Sequence, residues 1–125
     1  EAFAAFMEGA NVAYGLDPQK TVFVGYSNGA NMIGAVMLLH PGLIRNAVLL
    51  RGMNVLETVP EADLSGVSVL MVSGAADPYG RYAGDLEARL TAAGATVEHT
   101  LLAAGHDIGA ADLDLAKDFK DRVTG

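Results

Sequence analysis

The chain has 125 residues, about the size of one domain. With 51% hydrophobic residues and only 18% charged ones, it has far too much apolar surface to stay disordered. The formal charge is −7 and no Lys/Arg cluster is present, which disfavours nucleic acid and anionic membranes as partners. Without Cys, disulfide frameworks and Cys-based zinc sites are excluded. The three histidines, His40, His99 and His106, are not at helical metal-binding spacing. No apolar run reaches the ~18–20 residues of a membrane span, so stable membrane insertion is not expected. The first residues show no basic stretch followed by an apolar core, as a signal peptide would.

Phe3, Phe6, Met7, Ala10, Ala13 and Tyr14 recur at helical spacing, and Gly15, Asp17 and Pro18 then turn the chain. Residues 21–25 (TVFVG) read as a buried strand. Residues 28–39 are apolar nearly all round and read as a well-buried helix, stopped at His40, Pro41 and Gly42. Residues 46–50 (NAVLL) read as a second strand, 51–66 as a polar loop and 67–72 (VSVLMV) as a third strand. A loop at 74–78 precedes a helix at 81–93, then a partly alternating strand at 96–101 (TVEHTL). The last helix, 110–123, is expected to bury Leu113, Ala116, Phe119 and Val123. Asp112, Lys117, Asp118 and Asp121 would face water. Strand and helix in alternation predict an α/β fold, a mostly parallel sheet with helices on both faces. Function in such sheets gathers at the carboxyl ends of the strands.

Gly25, Tyr26, Ser27, Asn28 and Gly29 form G-x-S-x-G directly between a strand and a helix. A sharp turn there lifts a serine hydroxyl above the sheet, and the two glycines are expected to remove side chains that would collide with strand and helix. The helix N-terminus adds positive potential, and the Asn28 backbone N–H is the expected oxyanion donor. Chance occurrence in a glycine-rich chain and a phosphate-binding turn are competing readings. The second lacks both the Lys-Ser/Thr ending of a P-loop and a G-x-G-x-x-G pattern.

A serine nucleophile needs a base and an orienting acid, in the chain order Ser, Asp/Glu, His. Asp77 follows the third strand and His106 the fourth. Taken alone, Asp77 before Pro78 reads as a turn residue and His106 as a loop histidine; three residues at three strand ends in the required order favour a triad. Asp107 is a weaker rival for the acid. His40 reads as a helix cap and His99 as packing or surface. Arg51, Gly52 and Met53 follow the second strand as loop or pocket wall, and Tyr26, Met53 and Tyr79 are the candidate pocket residues. This chemistry calls for neither a metal nor an organic cofactor.

The stretches GLDP (15–18), GYSNGA (25–30), LLR (49–51), SGAADP (73–78) and AGH (104–106) together resemble the α/β-hydrolases. The match is nearest to their phospholipase/carboxylesterase branch, which includes acyl-protein-thioesterase-like and dienelactone-hydrolase-like enzymes. The resemblance runs over essentially the whole chain. It implies a serine hydrolase acting on small carboxylic esters, with Ser27, Asp77 and His106 as the triad. Members of that family have further strands before the elbow and an early His-Gly-type loop that gives the second oxyanion donor. Nothing before Phe3 supplies that loop, so residues 1–125 are expected to be the C-terminal part of a longer hydrolase domain. Losing one donor typically costs ~10²–10³ in rate. The first strand would then expose an apolar edge, and self-association is expected. A cytoplasmic location is the expectation from the missing Cys and signal peptide. A non-catalytic α/β binding module, or an inactive truncated hydrolase, is the alternative.

Overall fold

The computed structural model describes residues 21–56, 58, 61–78 and 80–124. The helix read from Phe3 to Tyr14, the GLDP turn and Tyr79 lie outside them. The described elements are β1 (Phe23–Tyr26), α1 (Asn28–Leu39), β2 (Asn46–Leu50), β3 (Ser68–Gly74), α2 (Ala83–Ala92), β4 (Thr96–Leu102) and α3 (Ala110–Thr124). A single 3-10 turn, Gly80–Tyr82, leads into α2.

The four strands form one parallel sheet in the order β1-β2-β3-β4. The expected α/β architecture is therefore present. β2 is buried at every position, as its unbroken apolar run requires of a strand covered on both faces. Alternate residues go to opposite sides. Ala47, Leu49, Val69 and Met71 pack with Ile33 and Met37 of α1 and Leu86 and Leu90 of α2. Val48, Leu50, Leu70 and Val72 pack on the other face with Phe119 of α3. Helix α1 is less enclosed than its composition predicts, because Met32 and Leu39 are exposed. Scattered single apolar residues on a surface are ordinary. Among the described residues β1 pairs only with β2, and Val24 on it is 56% exposed. No described helix is long and apolar enough to cross a membrane.

Helix α3 corrects the expected stripe. Leu115, Ala116, Phe119 and Val123 face the sheet, whereas Leu113 is 59% exposed and Asp112 is buried. Asp112 turns inward because a cation awaits it there. Phe119 is the one large fully buried side chain α3 lends to its core. Phe119→Ala should therefore cost about 3–5 kcal/mol, the usual loss for a buried aromatic. Urea denaturation checks this; a midpoint unchanged from the parent would mean that α3 does not depend on this contact.

Candidate active site

β1, β2 and β3 each leave the sheet at the carboxyl end through one more ladder bond. The N–H groups of Ser27, Arg51 and Ala75 donate to the carbonyls of Leu50, Val72 and Leu102, each at 2.8 Å. Ser27 sits at φ 55° and ψ −115°, a conformation that L-residues avoid at a cost of about 1–3 kcal/mol. The surroundings impose it. Its N–H completes the strand, while its carbonyl accepts the Asn31 N–H at 3.0 Å and so starts α1. The chain thereby turns from strand to helix within one residue.

Gly25 makes that reversal possible. A Cβ there would stand 2.7 Å from the Ala30 nitrogen, the Gly29 carbonyl carbon and the Ile33 Cδ1. At Gly29 a Cβ would meet nothing within 4 Å, so the steric demand expected of both motif glycines falls on Gly25 alone.

The structure brings Ser27, Asp77 and His106 together. Ser27 Oγ lies 2.8 Å from His106 Nε2, and His106 Nδ1 lies 2.8 Å from Asp77 Oδ2. The Asp77 side chain is almost fully buried, while that of His106 is about one-third exposed. Such a difference suits a fixed acid and an accessible base. The two loops are laced together by backbone. The Ala76 N–H donates to the Ala104 carbonyl at 2.9 Å, and the Asp77 N–H closes a turn on the Gly74 carbonyl at 3.1 Å. Gly74 lets them meet, since a Cβ there would collide with the carbonyl oxygens of Ala104 and Gly105. Asp77 is thus a turn residue and the partner of His106 at once. Asp107, the rival acid, uses its backbone carbonyl on Arg51 instead.

A cavity of about 390 Å³ opens at this point, lined by Ser27, Asn28, Asn31, Arg51, Met53 and His106. Met53, a candidate pocket residue, is part of this lining. Tyr26 lies outside the lining; its ring tilts against His106 with centroids 5.6 Å apart. Asn28 is the first residue of α1, so its N–H has no carbonyl one turn back to bind. Asn31 is a site residue the sequence reading missed. It is buried, and its Oδ1 accepts the Met53 N–H at 2.7 Å, pinning the loop after β2 to α1. The signal for it was an amide within an otherwise apolar helix. A hollow of about 530 Å³ near Leu38, Glu61 and Arg89 lies far from these groups.

His99 is neither plain packing nor surface. Its Nε2 is 2.7 Å from Ser73 Oγ and its Nδ1 2.7 Å from Glu87 Oε1, joining β3, β4 and α2. Ser73 is only 3% exposed, so this second Ser–His–carboxylate string works as a structural tie. The His40 backbone N–H closes α1 on the Val36 carbonyl at 2.8 Å. Among the described residues no three His, Asp or Glu side chains are grouped to hold a metal ion.

A serine held in a strained turn between a parallel strand and a helix, at the carboxyl edge of such a sheet, marks the α/β-hydrolase fold. Solved structures narrow this to a carboxylesterase-like form of it over most of the chain. A carboxylesterase from Mesorhizobium loti is 45% identical and superposes on 94% of the chain with a TM-score of 0.88. A Bacillus cereus carboxylesterase is 28% identical, with a TM-score of 0.85 over 96% of the chain. Arabidopsis thaliana SOBER1, 23% identical, shares the fold with a TM-score of 0.79 over 95% of the chain. The chain spans 56%, 57% and 60% of the lengths of these three. No protein-family model matches the sequence, and no curated protein matches it.

Proposed function

We propose that this chain carries the nucleophile, base and acid of a serine hydrolase that cleaves carboxylic esters. The observation behind this reading is the unbroken hydrogen-bonded string from Ser27 Oγ through His106 to Asp77. The similarity to two carboxylesterases supports the choice of ester as substrate class.

Ser27 Oγ attacks the ester carbonyl carbon as its proton passes to His106 Nε2. Asp77 holds the Nδ1–H and stabilises the imidazolium that forms. The negative charge gathers on the former carbonyl oxygen, which the Asn28 N–H and the amino end of α1 stabilise. The tetrahedral intermediate collapses, the bond to the alcohol oxygen breaks, and His106 returns its proton to the leaving alcohol. Water then enters. His106 takes one of its protons, the hydroxide adds to the acyl carbon, and a second collapse releases the acid and restores Ser27. Asn28, Asn31 and Met53 give the cavity a mixed polar and apolar lining that suits a small ester.

Reaction with a fluorophosphonate, followed by intact mass and peptide mapping, tests this. One adduct is expected, on Ser27, and none in His106→Ala. Absence of an adduct on protein shown to be folded by circular dichroism would refute the reading.

A further inference from the structure

Arg51 stands just after β2 with φ 59°, the second non-glycine residue with positive φ among those described. It lines the cavity, but its side chain is fully buried, so what it exposes there is backbone. All three guanidinium nitrogens are engaged. Nε donates to the Gly105 carbonyl at 2.9 Å and Nη2 to the Asp107 carbonyl at 3.1 Å. These are the two residues on either side of His106. Nη1 and Nη2 also grip Asp112 at 2.6 and 3.0 Å, and Nη1 reaches the Val72 carbonyl at 3.4 Å. Asp112 Oδ2 in turn accepts the Gly109 N–H at 2.9 Å.

One buried ion pair therefore holds the loop 105–109 on both sides of His106 and again at its far end. Outside these bonds the loop has little cover, with Gly105, Asp107, Ile108 and Gly109 all exposed and no regular structure. A guanidinium is suited to this task because its five N–H groups are fixed in one plane and radiate in several directions. An ammonium on a flexible stem cannot reach two carbonyls and a bidentate carboxylate together.

We infer that Arg51, paired with Asp112, is a positioning residue that sets His106 Nε2 against Ser27 Oγ by fixing the backbone on both sides of the histidine. The inference rests on the serine-hydrolase reading given above. Its strapping of the loop, however, is a matter of geometry that can be measured without catalysis.

The test is the double variant Arg51→Met with Asp112→Leu, which removes both charges and leaves neither buried alone. Arg51→Lys is its companion and serves alone should the double variant not fold. The rate of fluorophosphonate labelling at Ser27 is measured, with kcat and KM on p-nitrophenyl acetate and amide hydrogen exchange across residues 105–109. Labelling and kcat are expected to fall about ten- to a hundredfold, as small misplacements of a catalytic group do, while KM stays nearly constant. Exchange at 105–109 rises while that of β2 and β3 does not, and Arg51→Lys falls between the two. A folded variant that labels as fast as the parent overturns the inference. If the parent itself does not label, the hydrolase reading fails. Unchanged loop exchange would then overturn the strapping role separately.

Discussion

Ser27→Ala and His106→Ala are each expected to reduce kcat on p-nitrophenyl esters by roughly 10⁴–10⁶, with Asp77→Asn toward the lower end of that range. The ordering follows from the role each side chain has in the proposed mechanism. Without the Ser27 hydroxyl no acyl-enzyme forms. His106→Ala removes the group placed to take the Oγ proton, since Nε2 stands 2.8 Å from it. Asp77 acts one step removed, through the 2.8 Å contact to Nδ1, and sets the tautomer that leaves Nε2 free to accept. An amide there can still bond the ring, but it can hold the wrong tautomer. KM should change little, since the three act on the transition state more than on the bound ester. The double variant Ser27→Ala with His106→Ala should be no slower than either single one, because the groups work as a unit. Losses that add in the double variant would show that they do not. Alanine at 27 keeps the same strained turn, so circular dichroism should be that of the parent.

The parts of this site that could be read from the chain are those carried by local pattern. NAVLL and VSVLMV are apolar on both faces, which only a covered parallel strand allows, and they became β2 and β3. Ser27, Asp77 and His106 were legible because each follows a strand, and strand ends of a parallel sheet share one edge. Gly25 announced a close approach that the backbone does make. Other parts depend on partners distant in sequence. Asp112 looks like a solvent residue to any helical periodicity, and the cation that buries it stands 61 positions earlier. Leu113 was assigned to the core for the same reason, since inverting Asp112 rotates its neighbour outward. Arg51 reads as loop or pocket wall; nothing near it in sequence reveals that its donors meet the histidine loop. Asn31, Ser73, His99 and Glu87 are polar groups whose bonds appear only when strands and helices are side by side.

Asp112→Ala is expected to destabilise the fold by about 3–5 kcal/mol, far more than an aspartate near the start of a helix usually matters. The side chains of Asp112 and Arg51 are 2% and 0% exposed. Removing the carboxylate alone leaves a guanidinium buried with no counter-charge, and it also frees the Gly109 N–H. Replacing both partners by apolar residues of similar volume should cost much less, because no charge is then left out of water. The pH dependence has a definite sign. Burial works to raise the Asp112 carboxyl. The hydrogen bonds and charge of Arg51, with the Gly109 N–H, more than offset it and hold the group below the usual carboxylate range. Its folded pKa is thus lower than its unfolded one. The stabilisation is complete above the unfolded value, near pH ~4, and is lost as pH falls through the lower folded value. Urea denaturation of the parent and of the Arg51→Met, Asp112→Leu protein, compared from pH 7 down into the acid range, should show the parent losing an increment of stability that the double variant lacks. Equal acid sensitivity in the two proteins, or an Asp112→Ala variant within about 1 kcal/mol of the parent, would mean that the pair contributes no more than a surface salt bridge does.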